Sequence, residues 1–258
     1  MSEPASDSAT VRILHSDHRL IAVHKPAGIS FHSDDHSEGV VGMIRRLHGQ
    51  ALYPVHRLDR MTSGLMVFAR DKESNRALSE LFASRQIEKY YLAISATKPQ
   101  KKQGSIVGDM AKARRGSFKL LRSRESPAVT RFFSKPFKNN GSQRAAFLLK
   151  PETGKTHQLR VALKSLGSPI LGDVRYGAPP SDRGYLHAWR LSFLLDGRCY
   201  DVQDPVMEGE EWAVLARQVL FNDWHEPYRL SWPKGSVTVI RDGLNCPAAN
   251  SCRGAPED

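Results

Sequence analysis

Two stretches of this chain place charged residues where they can do chemistry. The first is "YPVHRLDRMTSGLMVFARD", residues 53 to 71, where Asp59 stands between Arg57 and Arg60 and a Thr-Ser-Gly turn follows. A carboxylate can attack carbon, take a proton or stabilise a detaching cation, and a nearby arginine keeps it ionised in a dry pocket. On position alone the plainer reading is a turn aspartate that bonds local backbone N–H groups. The second stretch is "TGKTHQLRVAL", residues 153 to 163. Gly154, Lys155 and Thr156 are expected to open a helix, so free N–H groups and a lysine can meet a phosphate there. Arg160 lies one turn beyond Thr156 and three residues beyond His157, on a face away from Leu159 and Leu163. The competing reading is a solvated helix face. In "KYYLAI", Tyr90 and Tyr91 must point to opposite sides of a strand, one into the core and the other free for a site.

Other chemistries lack their residues. No G-x-x-x-x-G-K-[ST], G-x-G-x-x-G or G-x-S-x-G occurs, so no nucleotide cofactor is expected. "HSDDH" sets His32 and His36 four apart, but in a polar loop after Pro26-Ala27-Gly28, so it reads as solvated and no metal is expected. Cys199, Cys246 and Cys252 have no metal or redox spacing, and an odd count does not suggest a disulfide framework. The 38 Lys+Arg against 27 Asp+Glu leave a charge of +11, which favours a polyanionic partner such as nucleic acid. No apolar run approaches the ~20 residues that span a bilayer, and the acidic start "MSEPASDSAT" is not a signal peptide. A cytoplasmic setting, no membrane and a monomer are the expectations.

Elements must hold these residues. Residues 1 to 10 are expected as a flexible leader. "VRILHSDHRLIAVHKPAG" reads as a hairpin, and residues 40 to 48 keep a helical period that Gly49 closes. Leu65 to Arg70 reads as a strand, and Asp71 as the N-cap of a helix through Arg85 with Ala77, Leu78, Leu81 and Phe82 inward. Further strands are expected at "EKYYLAIS", "PAVTRFFS", "RAAFLLKP" and "YLHAWRLSFLL", and helices at residues 156 to 166 and "EEWAVLARQVLF". Lys98 to Arg124 is the most basic region and mixes short strand-like pieces with glycines. Hairpin-linked strands interleaved with helices argue for an α+β fold with a mixed sheet. The expected division is a domain at 11–205, a helical and strand extension at 206–240, and a disordered tail at 241–258.

The blocks "VHKPAGIS", "HRLDRMTSGLMVFAR", "KYYLAI", "TGKTHQLRVALKSLGSPILGDVRYG" and "LHAWRL" occur in this order. With them the chain resembles the RluA family of RNA pseudouridine synthases, from about Ile13 to Leu195. The resemblance implies the mainly antiparallel catalytic domain of that family. It makes Asp59 the catalytic aspartate, Tyr91 the active-site tyrosine and Arg160 the arginine paired with the aspartate. It also implies an RNA substrate, ribosomal RNA first and tRNA second, contacted by Arg57, Arg60, Lys155, Thr156 and His157. Lys98 to Arg124, with Lys112, Arg114 and Arg115, is then expected to be one basic arm that meets phosphates without reading sequence. Lys155 departs from the commoner arginine and lacks its bidentate fork. Ala162 stands where many members carry histidine, and the S4-like domain of some relatives does not fit ahead of the first block. Residues after Val206 match nothing assignable.

The implied reaction breaks the N1–C1′ bond of uridine, turns the uracil and joins C5 to C1′. A carboxylate suits such chemistry, as in glycosidases. The base must leave its stack, and Arg57 is expected to fill the space while Tyr91 stacks on the flipped ring or takes the C5 proton. A catalytically silent RNA binder would not need the three site residues together. A glycosidase would need a second acid near Asp59, and none is evident in the sequence.

Overall fold

A computed structural model describes residues 10–33, 37–49, 51–205, 208–217 and 224–233. The leader, apart from Thr10, and the tail at 241–258 lie outside the described residues. In chain order the first elements are β1 (Arg12–Ser16), β2 (Leu20–Lys25), α1 (Val40–His48), β3 (Tyr53–Pro54), β4 (Ser63–Ala69) and α2 (Lys72–Ala83). Then come β5 (Glu88–Ser95), β6 (Gln103–Gly108), β7 (Met110–Lys112), β8 (Phe118–Leu120), β9 (Ala128–Asn139) and β10 (Ser142–Pro151). The last are α3 (Gln158–Ser165), β11 (Leu186–Leu195), β12 (Arg198–Gln203) and α4 (Glu210–Arg217). Ten strands form one sheet in the order β1-β2-β4-β11-β5-β10-β9-β6, with β3 beside β4 and β12 beside β11. Every pairing in it is antiparallel except β4 with β11, which makes the fold α+β with the mixed, mainly antiparallel sheet expected. Among the described residues no helix is long and apolar enough to cross a membrane.

Strand β4 shows why its sequence is apolar throughout. Leu65, Val67 and Ala69 pack toward Leu78 of α2, while Met66 and Phe68 pack toward Val40 and Ile44 of α1. A strand with a helix on each face needs an apolar side chain at every position. Each large one contributes about 1.5–3 kcal/mol when fully buried. Asp71 caps α2 by accepting the Ser74 N–H at 2.7 Å. The helix stops at Ala83, however, and Arg85 follows it in the left-handed conformation, outside the last turn where the sequence placed it.

Two points differ from the sequence reading, the basic region and Cys199. The basic region is not one arm: β6 joins the main sheet beside β9, and only the β7–β8 hairpin stands apart. The described part of the 206–240 extension packs into the main core through Trp212, Leu215 and Trp224, and Glu211 pairs with Arg144 at 2.7 Å. Cys199 is disulfide-bonded, which the cysteine count did not suggest.

The parallel contact of β4 with β11 is a seam of two residue pairs, Ser63 with His187 and Gly64 with Ala188. Beyond it the strands part: β11 pairs with β12, and β4 with β3. Gly64 makes the contact possible. Its φ is 113°, and a Cβ there would lie 2.3 Å from the Ala188 carbonyl oxygen. The loop from β3 to β4, with Asp59 in it, ends at this seam.

Gly64→Ala should therefore cost about 3–4 kcal/mol, from backbone strain plus the clash with Ala188. Gly197→Ala, where φ is also positive but nothing lies within 4 Å, should cost only about 1–2 kcal/mol. Urea denaturation of both variants measures this. Equal losses would show that the close approach at the seam is unimportant.

Candidate active site

Contacts from three sides hold the Asp59 loop. Lys25 at the end of β2 is fully buried and donates to the carbonyls of Pro26 (2.9 Å), Ile29 (2.8 Å) and Arg60 (3.3 Å). The Gly28 N–H also donates to the Arg60 carbonyl at 2.8 Å, and Arg60 Nε donates back to the Gly28 carbonyl. Burial, with Arg183 adding repulsion, brings Lys25 down to about 7, against the pull of Asp59. The Pro-Ala-Gly turn and the aspartate loop are thus stapled together. Behind the loop, the His56 ring stacks on Phe82 and its Nε2 accepts the Val67 N–H at 2.9 Å. An accepting nitrogen carries no proton, and burial pushes this imidazole well down.

The third contact is a buried network at the seam. His187 Nε2 meets the Asp204 carbonyl at 2.9 Å, and His187 Nδ1 meets the Ser63 hydroxyl at 2.8 Å. A carbonyl only accepts, so Nε2 bears the proton and Ser63 donates to Nδ1. Arg183 Nη2 donates to the same hydroxyl. Thr62 closes the turn by donating its N–H to the Asp59 carbonyl at 3.0 Å. Each residue of the Thr-Ser-Gly turn therefore has its own structural role.

Asp59 meets Arg160 as expected, but the arrangement is richer than a pair. Arg160 Nη1 donates to Asp59 Oδ2 at 3.2 Å, while His157 Nε2 lies 4.0 Å from the same oxygen. Oδ1 has no hydrogen-bond partner among the described residues. Arg160 is not on a solvated helix face: it is 7% exposed, and Asp173 grips it through Nε at 2.7 Å and Nη2 at 2.9 Å. The guanidinium lies over the Tyr176 ring, 4.9 Å from its centroid. Burial disfavours the charge on Arg160, yet Asp173 and Asp59 together raise its pKa above the usual value. The two nitrogens held by Asp173 leave Nη1 for Asp59.

The helix here also starts later than expected. Thr156 precedes α3, and His157 takes the left-handed conformation at φ 57°, so α3 begins at Gln158. The Gln158 carboxamide organises the loop by accepting from Lys155 N–H and Thr153 hydroxyl and donating to the Val129 carbonyl and Thr130. The Tyr176 hydroxyl accepts the Phe118 N–H at 3.0 Å and meets His157 Nδ1 at 2.9 Å, which ties β8 to the site. Burial lowers His157 despite the opposing charge of Asp59.

A cavity of about 560 Å³ opens at Asp59, lined also by Arg57, Tyr91, Lys155, Thr156, His157 and Arg160. Tyr90 is fully buried in the core. Burial first, and the charge of Asp59 second, raise the Tyr91 phenol, so it stays protonated at neutral pH. Arg57 lies over the Phe31 ring at 5.8 Å, and Lys155 Nζ donates to the Ser126 hydroxyl at 3.0 Å. Arg60 does not line this cavity. Lys112, Arg114 and Arg115 also lie outside it, exposed on the β7–β8 hairpin. Residues 34–36 of the "HSDDH" stretch lie outside the described residues.

The sequence reading missed Lys25, Ser63, Asp173, Tyr176 and His187. All five stand in the motif blocks, but no spacing shows that a carboxylate thirteen residues after Arg160 returns to hold it. Asp173 also supplies the second acid that was not evident, yet both its oxygens are bound to Arg160 and it lines no part of the cavity.

Residues 19–165 match the RNA pseudouridylate synthase family. An uncharacterized RNA pseudouridine synthase of Haemophilus influenzae is 50% identical over 201 residues, 77% of this chain and 88% of that protein. The dual-specificity RNA pseudouridine synthase RluA of Escherichia coli is 34% identical over 191 residues, 70% of this chain and 85% of that protein. The fold is similar to human RNA Pseudouridylate Synthase Domain Containing 1, with a TM-score of 0.67 at 23% identity, over 84% of this chain and 98% of that one.

The buried histidine at the seam gives stability a pH dependence. Burial brings His187 down to about 4 from 6.5. The unfolded chain therefore takes up this proton first as pH falls, so the stabilisation is complete above about 6.5 and is lost as pH drops through about 4. His187→Gln should be less stable at neutral pH but lose less on acidification. Between pH 6 and 5 its urea-derived slope should be shallower than the wild type's by up to about 1.4 kcal/mol per pH unit. Parallel slopes would contradict a neutral, buried His187.

Proposed function

The chain belongs to the RNA pseudouridylate synthase family, and we propose that it isomerises a uridine in structured RNA, ribosomal RNA first and tRNA second. The observation that carries the site assignment is the state of Asp59. One oxygen is held by a pinned arginine, and the other has no protein partner among the described residues beside a nucleotide-sized cavity. Such a carboxylate is oriented and ready for a reacting centre. The N1–C1′ bond breaks, the C5–C1′ bond forms, and the proton lost from C5 is matched by the one gained at N1. Substrate and product are isomers, so atoms balance without a co-reactant.

The cavity admits one base and not a duplex, so the uridine must be flipped into it. Tyr91 in the wall offers its ring for stacking. Its protonated phenol suits a hydrogen-bond donor, which makes stacking the role we assign to it in place of a standing base at C5. Arg57, exposed at the cavity rim against Phe31, is placed to fill the gap in the RNA stack. The hairpin with Lys112, Arg114 and Arg115 is joined to the site through Phe118 and Tyr176, so phosphates held there lie near the reacting uridine. The proposed setting is the cytoplasm and the proposed working form a monomer, since one chain supplies every residue invoked.

Pseudouridine mapping across cellular RNA, with and without the gene, tests the reading. A ribosomal RNA position that loses its pseudouridine, and regains it on incubation with the purified protein, is the expected result. Loss confined to tRNA would replace the target, and no change in any RNA would overturn the function.

A further inference from the structure

A second cavity, about 550 Å³, lies across Asp59 from the first. Arg57, Asp59, His157 and Arg160 line both, so the two form one groove that passes the carboxylate. The second cavity is walled by Arg60, Arg175 and Arg183, and by Gly116 at the tip of the β7–β8 hairpin.

Several arginines away from this cavity are neutralised by acids: Arg19 by Asp196 at 2.6 Å, Arg144 by Glu211 at 2.7 Å, Arg198 by Asp17 at 3.2 Å. Arg57, Arg60 and Arg175 form no ion pair among the described residues. Arg60 donates Nε to the Gly28 carbonyl at 2.8 Å, and Arg175 donates Nη1 to the Arg115 carbonyl at 2.7 Å. In each, one nitrogen is tethered to backbone and the rest of the guanidinium has no protein partner among the described residues. Besides Asp59, the acid in this wall is Asp182, which is already engaged by the Tyr185 hydroxyl (2.7 Å), the Ser181 hydroxyl (2.9 Å) and the Glu210 N–H (3.3 Å). A tethered guanidinium has little freedom left to lose when an anion arrives, and its flat fork matches phosphate oxygens in pairs.

We infer that the second cavity is a phosphate subsite, in which Arg60 and Arg175 bind the RNA phosphodiester beside the flipped uridine. The inference rests on RNA as the substrate. It makes Arg57 the divider between base and backbone. It also gives the hairpin a second role, because its backbone at Gly116, where a Cβ would come within 3.0 Å of Arg175 Nη1, closes over that arginine.

The test is the salt dependence of binding of a fluorescent decauridylate, followed by anisotropy over roughly 50–200 mM salt. Arg60→Gln/Arg175→Gln should flatten the log–log slope by about 1.4, about 0.7 for each lost phosphate contact on a single strand. Arg198→Gln/Arg229→Gln removes the same charge from arginines already paired with acids and should leave the slope nearly as in the wild type. Arg60→Lys/Arg175→Lys should keep the slope and lose part of the affinity, which separates charge loss from misfolding. Equal flattening in both Gln pairs, or none in the first, overturns the subsite. Pseudouridine formation, scored separately on the same wild-type preparation, tests the function itself. Its absence beside a flattened slope would remove the enzyme reading and leave the subsite standing.

Discussion

One buried arginine shared between two carboxylates organises this site. Arg160 gives two nitrogens to Asp173 and a third to Asp59, with Tyr176 beneath its plane. A guanidinium that answered to Asp59 alone could turn with it. Clamped by Asp173, it holds a fixed direction, and the carboxylate it meets is fixed in turn. Removing an arginine's water without two acids around it would be costly, so Asp173 is a condition for burying Arg160 at all.

The clamp works only because the fold brings distant segments to one point. Asp59 precedes β4 and Arg160 lies in α3, 101 residues on. They meet where β4 touches β11 over two residue pairs, with Gly64 allowing the approach and Ser63 locked to His187. Lys25 reaches the same loop from β2. Lys25, Ser63 and His187 each have hydrogen-bond partners in this buried region, and leaving any of them unpaired would cost more than an apolar residue there. This accounts for a lysine, a histidine and a serine in positions that would otherwise be filled by leucine or valine.

Much of this was legible in the sequence, for identifiable reasons. The apolar run of β4, the cap at Asp71 and the strand at residues 88–95 obey local rules, so pattern found them. Family motifs named Asp59, Tyr91 and Arg160. What stayed hidden was tertiary. The left-handed turn at His157 delays α3 and turns Arg160 inward, against a helical reading that put it on the surface with Thr156. Asp173 gave no signal, because a contact across thirteen residues and a turn has no periodic pattern. Lys98 to Arg124 looked like one basic arm because composition does not show that β6 enters the main sheet.

The central claim is that the oriented Asp59 carboxylate carries the reaction and does not merely shape the loop. The most direct measurement is single-turnover pseudouridine formation by Asp59→Asn at saturating RNA, alongside RNA binding and thermal unfolding. Asparagine keeps the shape and can still accept from Arg160, but it lacks the charge. The account predicts a folded protein that binds RNA like the wild type and forms pseudouridine only at background. Turnover near the wild-type rate would contradict it and return Asp59 to the role of a turn aspartate.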